Sequence, residues 1–355
     1  MMPVPDLPDM IAALDVPDVP DMPDVPDVPD VPDVIAIDGG NSKTEVLVVS
    51  RSGQVLGQSR GPGASPQNVG VAACVAALEE LVLQALPGPP APWAKPFAVH
   101  TSAYLAGLDF PREEEALYAA LVARGWSDTL TVGNDTLALL RAGSSDGTGV
   151  AVVCGAGING AGVGPDGKIH RFPALGRISG DWGGGFRLGE EALWWAARAE
   201  DGRGPGTALR AAVADHFGAE TLFEVIQRLH FGEIERSSIH GLCPLLFRVA
   251  AAGDQVAQEV VTRFAEEVGT LVAVILRRLE LTTSAPEVIL GGGVLTGVGA
   301  VVIGDIERRC LKVAPRAVVR VVDVNPVVGA ALFGLDTLGS PAASMAALKA
   351  ATQRL

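Results

Sequence analysis

One pattern of strands and glycine loops occurs twice in this chain. In both copies an apolar strand runs into a polar, glycine-rich loop, and a second apolar strand, a tight turn and a third strand follow. The first copy spans residues 34–57 and the second spans residues 149–169, with their loops opening at Gly39 and Gly155. An internal repeat of this kind predicts two related halves that face each other.

The first glycine loop, residues 38–44, has the composition of a phosphate-binding loop. Adjacent glycines let the backbone approach a ligand closely, and N–H groups beside hydroxyls and a lysine suit phosphate oxygens. Because a carboxylate repels phosphate directly, the useful role of Asp38 is to hold a hydrated Mg²⁺ ion against it. The alternative is a β-hairpin with an ordinary glycine turn. The phosphate-binding candidates are Gly39, Gly40, Asn41, Ser42, Lys43 and Thr44.

The second glycine loop also matches the GxGxxG fingerprint of dinucleotide-binding proteins, through Gly155, Gly157 and Gly160. That fingerprint needs a helix directly after the glycines, whose N–H groups hold the pyrophosphate. Here the chain continues into more glycines and a turn at residues 165–168. A β-hairpin fits this pattern better than a dinucleotide-binding helix, so we do not expect NAD.

Two polar positions stand where helices are predicted to begin. A strand at residues 129–132 leads into Asn134 and Asp135, before a predicted helix at residues 137–142. Asp135 either caps that helix or faces a cleft as a general base, because α/β enzymes place carboxylates at such strand ends. Asn68 lies just before a predicted helix at residues 71–86 and is either its cap or a functional residue.

The most glycine-dense stretch, residues 179–185, precedes a predicted helix at residues 188–198. This stretch is either a mobile loop beside a cleft or a compact turn in which Trp182 is the packing anchor. Glu190 and Glu191 are predicted to lie in the first turn of the helix that follows.

A third glycine cluster, Gly291, Gly292 and Gly293, follows a predicted buried strand that begins at Glu287. Bare backbone at such a turn lets a flat base or a ribose lie against it. A tight turn from strand to helix is the alternative explanation of the same glycines.

Length and composition indicate an α/β protein of about two domains. A chain of 355 residues with 48% hydrophobic residues and 43 glycines can bury two cores. Of the net charge of −14, nine negative charges come from aspartates within residues 1–33, which leaves −5 for the rest. This segment repeats Asp-Val-Pro and has no Lys or Arg, so we predict a disordered tail.

Several classes of partner are not expected. A nucleic acid would need a clustered basic face, which an acidic chain does not supply. No apolar run reaches the roughly 18 to 20 residues that cross a bilayer, and the N-terminus lacks the features of a signal peptide. We therefore expect neither nucleic acid nor membrane as a partner, and a cytoplasmic location.

The cysteines and histidines do not suggest a metal site. Cys74, Cys154, Cys243 and Cys310 lie far apart, so buried free thiols are the expected state. The five histidines show neither HxxxH nor HxH spacing.

These elements, in this order, resemble the sugar kinase/Hsp70/actin superfamily and, within it, the BadF/BadG/BcrA/BcrD ATPase family, which includes N-acetylglucosamine kinase. The resemblance covers nearly everything from Val34 to about Leu338. It implies two facing ribonuclease H-like (actin-like ATPase) domains, with mixed sheets flanked by helices and a cleft between them. We expect the tail at residues 1–33, the two domains at residues 34–143 and 144–324, and a helix returning to the first domain at residues 325–340.

The resemblance also implies roles for the site residues. ATP would bind the first phosphate loop, the second phosphate loop at Gly155, Ala156 and Gly157, and the adenosine loop at Gly291, Gly292 and Gly293, with Mg²⁺ at Asp38. Asp135 matches the family's catalytic base. The substrate-binding candidates are Asn68, Ala106, Gly107, Asn134, Asp135 and Glu190.

Two departures from the family pattern concern the sugar. The family's second loop usually reads Gly-Thr-Gly-Ser, whereas Ala156 and Ile158 remove both hydroxyls here. The family's Gly-Asp-Glu-Gly-Ser is replaced by the sequence GEEAL from Gly189 to Leu193, after a loop lengthened by glycines. Both departures fall where sugar specificity is expected, so they are compatible with ATP binding but leave the identity of the sugar open.

The resemblance implies an ATP-dependent kinase that phosphorylates an amino sugar, N-acetylglucosamine, to its 6-phosphate. Glucosamine and N-acetylmuramic acid are alternative substrates. A different class, the ATPase activator of a partner enzyme, carries cysteine motifs for an iron–sulfur cluster that are not recognisable here. A regulator without catalysis would have lost its catalytic aspartate, whereas Asp38 and Asp135 are both present. We expect a homodimer.

Overall fold

The structure, a computed structural model, describes residues 32–88 and 94–352. The predicted tail at residues 1–33 lies outside the described residues except for its last two. Ten strands are described: β1 Val34–Gly39, β2 Lys43–Val49, β3 Val55–Pro62, β4 Ala98–Leu105, β5 Ser127–Asn134, β6 Gly149–Cys154, β7 Ile158–Val163, β8 Ile169–Arg171, β9 Glu287–Gly291 and β10 Val318–Val321.

Thirteen α-helices accompany the described strands. They are α1 Pro66–Val69, α2 Val71–Ala85, α3 Pro111–Val122, α4 Asp135–Gly143, α5 Gly184–Glu200, α6 Leu209–His216, α7 Leu222–His230, α8 Leu242–Ala251, α9 Gln255–Arg278, α10 Gly293–Gly297, α11 Ala300–Val313, α12 Pro326–Thr337 and α13 Ala342–Thr352. Within the described ranges, every helix is too short or too polar to span a membrane.

The strands form two five-stranded mixed sheets of the same design. The first has the order β3-β2-β1-β4-β5, and the second has the order β10-β9-β6-β7-β8. In each, the opening strand pairs antiparallel with the next strand of its hairpin and parallel with a later strand, β4 or β9. The predicted repeat is therefore a repeat of topology, since β1–β3 and β6–β8 take equivalent places.

Helices cover both faces of the first sheet because its central strand is apolar on both sides. Ile35 and Ile37 of β1 pack in a core with α2 and α3, whereas Val34 and Ala36 pack against α4 and α12. We call this sheet with α1–α3 the first lobe, and the second sheet with α5–α11 the second lobe.

Helix α4 is shared by the two sheets. Its residues Leu137 and Ala138 belong to the core beside β1, while Leu139 and Leu140 pack against Ala151 of β6 and Ile289 of β9. Helix α12 crosses α4 so closely that a Cβ at Gly329 would lie 1.8 Å from the carbonyl oxygen of Ala138. The α4–α12 crossing therefore joins the two lobes.

Two predicted boundaries in the first lobe were wrong. From the sequence, residues 97–101 form a strand and residues 104–109 form the loop after it. β4 instead continues to Leu105, because Tyr104 pairs with both Asp38 and Gly133 in the neighbouring strands. β2 begins at Lys43, since Thr44 pairs with Gly39 across the hairpin. The first glycine loop is therefore shorter than the sequence predicted.

Three helix predictions also need correction. Asn68 lies inside α1 and Gly70 precedes α2, so Asn68 is not the cap of α2. Helix α5 begins at Gly184 rather than residue 188, which moves Glu190 beyond its first turn. Helix α13 was not predicted; its residue Leu348 is fully buried beside α12 and β2.

We expect the substitution Gly329→Ala to lower the free energy of unfolding by about 1–3 kcal/mol, because its methyl group would collide with the backbone of α4. Helix propensity alone favours alanine over glycine by about 1 kcal/mol, so a net loss of stability must come from the collision with α4. Urea unfolding followed by circular dichroism measures it.

The matched control for this substitution is Gly304→Ala in α11, where a Cβ meets only the Arg308 guanidinium at 3.6 Å. That variant should be as stable as the wild type or slightly more stable. Equal unfolding midpoints for the two variants would contradict the close crossing of α4 and α12.

Candidate active site

A cavity of about 1240 Å³ lies between the two lobes. Its walls come from both hairpin loops, the start of α4, the turn from β9 into α10 and the start of α12. Of the residues predicted from sequence, those that line it are Asp38, Gly40, Asn41, Ser42, Lys43, Ala106, Gly107, Asp135, Gly155, Ala156, Gly157, Gly292 and Gly293. The two halves of the repeat thus present their loops to one space.

The first glycine loop is a tight hairpin turn. The N–H of Gly40 donates to the carbonyl of Lys43 at 2.8 Å, which leaves Asn41 and Ser42 exposed at the tip. Lys43 lines the cavity, and its Nζ lies 3.1 Å from the carboxylate of Glu45. Thr44 is buried in β2, outside the cavity wall, so this hydroxyl does not face the cavity.

Asp38, at the end of β1, is a buried carboxylate in the cavity wall. Burial raises the pKa of Asp38 well above its ordinary value. The negative charges of Asp135 and Glu45 raise this pKa further, and Lys43 lowers it. A buried carboxylate near two others is a place where positive charge is favoured.

The second glycine loop presents bare backbone to the cavity. A Cβ at Gly155 or Gly157 would meet no atom within 4 Å, so the space in front of both is open. Behind the loop, the N–H of Gly185 donates to the carbonyl of Gly155 at 2.7 Å. A Cβ at Gly184, where φ is +79°, would lie 2.6 Å from the carbonyl of Ala156, so this position requires glycine.

The glycine-dense stretch that ends at Gly185 is therefore a packed support. Trp182 is buried, and the guanidinium of Arg263 stacks on its ring at 4.2 Å from the centroid. Of the two interpretations of this stretch, the compact turn with Trp182 as anchor describes the structure.

The third glycine cluster is a tight turn from β9 into α10. Gly292, with φ +88°, packs so close to the backbone of Cys154 that a Cβ would lie 2.6 Å from its carbonyl. Gly293 has open space in front and lines the cavity, whereas Gly291 packs against Leu139 in the core. Two of the three predicted glycines thus face the cavity.

Asp135 is the first residue of α4, and its carboxylate lies in the cavity wall. The helix is capped by its neighbour, since Oδ1 of Asn134 accepts from the N–H of Thr136 at 3.0 Å. Burial and the negative charge of Asp109 raise the pKa of Asp135 to about 6. Hydrogen bonds from Thr136 lower this pKa, but by less than the other two effects raise it. Because Asn134 caps the helix, Asp135 is available for other chemistry.

Several cavity residues near Asp135 were not predicted. Asn159 of β7 lines the wall, and its Nδ2 lies 3.4 Å from Oδ1 of Asn134. Asp109 is buried, lines the wall and receives a hydrogen bond from Nδ2 of Asn134 at 3.3 Å. A polar residue inside an otherwise apolar β7 and an acidic residue ending the 104–109 segment were the available sequence signals.

Six predicted residues do not line the cavity, namely Gly39, Thr44, Asn68, Asn134, Glu190 and Gly291. Asn68 contacts a wall residue without lining the cavity itself, since its Nδ2 donates to Oδ1 of Asn41 at 2.9 Å. Its neighbour Gln67 lines the wall instead. Glu190 accepts a hydrogen bond from Arg187 on the same helix at 3.2 Å. Glu190 therefore pairs within α5, outside the cavity wall.

We expect Asp135→Asn to stabilise the folded protein at pH 8 by roughly 1–3 kcal/mol, because it removes a buried charge whose pKa is raised from 3.8 to about 6. The penalty on folding of the wild type grows as pH rises from about 3.8 to about 6, and it is complete above about 6, where Asp135 is ionised in both states. Below the unfolded pKa the carboxyl is protonated in both states, so the advantage of the variant should disappear near pH 3.8.

Thermal unfolding at the two pH values measures this effect. The control is Asp128→Asn at an exposed position of β5, which should leave the transition unchanged at both. A variant no more stable than the wild type at pH 8 would contradict the buried environment of Asp135.

The sequence profile of the BadF/BadG/BcrA/BcrD ATPase family matches residues 35–334. An N-acetyl-D-glucosamine kinase of Dictyostelium discoideum is 24% identical over 313 residues, which are 85% of this chain and 98% of that protein. An N-acetylmuramic acid/N-acetylglucosamine kinase of Clostridium acetobutylicum is 24% identical over 272 residues, 75% of this chain and 86% of that protein.

Solved structures confirm the predicted fold class. A protein from Chromobacterium violaceum superimposes with a TM-score of 0.67 at 22% identity, over 86% of this chain and all of that chain. A ROK family glucokinase from Streptomyces griseus, solved with glucose and AMPPNP, gives a TM-score of 0.52 at 19% identity, over 86% of this chain and 99% of that chain. With the profile match over most of its length, the chain belongs to the BadF/BadG/BcrA/BcrD ATPase family.

Proposed function

We propose that this protein is an ATP-dependent sugar kinase that transfers the γ-phosphate of ATP to the primary hydroxyl of N-acetylglucosamine. The observation that carries the proposal is the position of Asp135, a cavity carboxylate with a raised pKa that faces a space framed by two glycine loops. The two curated relatives, which are kinases of N-acetylated amino sugars by name, support the substrate class.

The glycine loops supply the phosphate-binding part of this activity. Phosphoryl transfer asks a protein mainly to align donor and acceptor and to stabilise charge on the transferred group. Bare backbone at Gly155, Gly157 and Gly293 lets phosphates and the nucleoside approach without meeting a side chain. Lys43 adds a positive charge at the edge of the same cavity.

The residues present fit a magnesium ion held through water. Magnesium in kinases keeps several waters and uses one or two carboxylates, and Asp38 supplies one such carboxylate at the first glycine loop. In the described part of the chain no group of three or more acidic, histidine or cysteine side chains forms a closed metal cage. When bound, the ion offsets phosphate charge, and Asp38 would hold it on the side of the first loop.

Asp135 would accept the proton of the sugar hydroxyl as general base. Its raised pKa brings its basicity closer to neutral pH, where a general base works best. The carboxylate of Asp109 sustains this basicity through its negative charge. Asn159 and the backbone at Gly107 lie in the same wall, where they can hold the sugar against Asp135.

The cysteines argue against the ATPase-activator alternative. All four are buried free thiols, as the sequence predicted. Burial raises the thiol pKa of Cys74, Cys243 and Cys310 to about 12, so thiolate ligands for a cluster at a surface are not available. The homodimer and the cytoplasmic location stay predictions.

We expect Asp135→Asn to lower kcat for sugar phosphorylation by about 10²- to 10⁴-fold while ATP still binds, because only the proton acceptor is lost. A coupled ADP-release assay with Mg-ATP measures it on N-acetylglucosamine, N-acetylmuramic acid, glucosamine, N-acetylmannosamine and glucose. Asp128→Asn is the matched control and should turn over like the wild type.

Two outcomes of that assay would contradict the proposal. ADP release that does not depend on any sugar and survives Asp135→Asn would point to an ATPase instead of a kinase. Faster turnover of glucose than of the N-acetylated sugars would leave a kinase but overturn the amino-sugar assignment.

We expect Gly157→Val to weaken ATP binding about 10-fold or more, which corresponds to about 1.4 kcal/mol, because its side chain would enter the open cavity. The fold should tolerate the change for the same reason. Isothermal titration with a non-hydrolysable ATP analogue measures affinity, and thermal unfolding measures stability.

The control is Gly206→Val, at an exposed loop position with equally open surroundings, outside the cavity wall. It should bind the analogue like the wild type. Unchanged affinity in Gly157→Val would remove the second glycine loop from the nucleotide site.

A further inference from the structure

Side chains of the second lobe contact the first lobe beside the cavity wall. One of them is Arg171, the last residue of the edge strand β8. Its Nη1 donates to the carbonyl of Leu108 at 3.2 Å and forms an ion pair with Glu114 of α3. Leu108 and Glu114 both belong to the opposite lobe.

The Arg171–Glu114 ion pair is largely shielded from water. The side chains are 21% and 28% exposed, so the attraction is screened less than that of a fully exposed pair. From the sequence, the run from Glu113 to Glu115 is most simply a first helical turn that faces solvent. Instead, Glu113 accepts from the N–H of Phe110 at 2.9 Å, and Glu114 is turned towards Arg171.

Both partners of the ion pair are joined to residues of the cavity wall. Leu108, whose carbonyl Arg171 holds, lies between the wall residues Gly107 and Asp109. On the second lobe, the wall residue Ala174 follows Arg171 by three positions, and its backbone N–H faces the Asp109 carboxylate. Separation of Arg171 from Glu114 would therefore move parts of the acceptor wall apart.

Neither lobe needs this ion pair for its own packing. Arg171 lies on an edge strand, and its contacts with Leu108 and Glu114 cross between the lobes rather than within one. The α4–α12 crossing joins the lobes elsewhere, at the shared core. The Arg171–Glu114 ion pair is a second contact between the lobes, separate from that joint, so it opposes their separation beside the wall residues Gly107 and Asp109.

We propose that Arg171 is a positioning residue for the sugar acceptor: its ion pair with Glu114 latches the lobes and holds the segment 106–109 in place against Asp135. This role rests on the proposed kinase function, and its structural part can be tested without any substrate. The lobes then have a closed and an open state, and the Arg171–Glu114 ion pair favours the closed one. A sugar that binds only when the lobes are closed binds in proportion to the fraction of molecules in the closed state.

The test measures the distance between the lobes and the kinetics on one set of variants. Spin labels at Ala119→Cys of α3 and Thr262→Cys of α9, both exposed, report the distance by pulsed electron resonance, since the native cysteines are buried. The latch variants are Arg171→Met and Glu114→Gln. The matched control is Arg124→Met, which removes an ion pair with Glu79 inside the first lobe.

We expect both latch variants to shift the distance distribution to longer values in the absence of ligands. We also expect them to raise KM for N-acetylglucosamine by about 3- to 10-fold, with a smaller change in kcat, because a smaller fraction of the molecules has closed lobes before the sugar binds. The double variant Arg171→Glu with Glu114→Arg should recover part of both effects. Arg124→Met should change neither.

The outcomes separate the latch from the proposed function. A wild-type distance distribution in Arg171→Met and Glu114→Gln would overturn the latch, whatever the kinetics show. A shifted distribution in a protein whose wild type phosphorylates no sugar would keep the latch and overturn the kinase. If Arg171→Met does not fold, Glu114→Gln alone tests the latch. In that variant Arg171 can still donate to the carbonyl of Leu108.

Discussion

The close crossing of α4 and α12 is the contact on which the rest of the structure depends. Gly329 lets the two backbones meet, and α4 then fills the space between the sheets with apolar residues on two sides. Because α4 is held in this way, its first residue, Asp135, stays in the cavity wall. The same contact that joins the lobes therefore places the reactive carboxylate.

The cavity concentrates negative charge where a folded protein would avoid it. Asp38, Asp109 and Asp135 are near one another, and burial raises the pKa of each. Such a cluster reduces stability at neutral pH, and functional sites commonly retain a cost of this kind. This loss of stability serves the proposed reaction, because the neighbouring carboxylate of Asp109 makes Asp135 more basic and the cluster favours a cation beside phosphate.

Much of this protein could be predicted because its signals are local. The hairpins around Gly39 and Gly155 follow from alternating apolar runs and adjacent glycines, and the placement of Asp135 follows from a strand that meets a helix. The errors occur where long-range pairing decides. Tyr104 is in a strand because β1 and β5 flank it, and α5 starts as early as Gly184 because its first residues pack under the second loop.

The sequence by itself determined the repeat, the glycine loops and the candidate carboxylates, since each rests on residue types within a few positions of one another. Only the tertiary structure decided which of these face one cavity. It turned Thr44 and Gly291 into the core, brought Asn159 and Asp109 beside Asp135, and paired Arg171 with Glu114 across the lobes. The physical reason is that a side chain's surroundings are set by elements distant in sequence, and their docking leaves no local pattern.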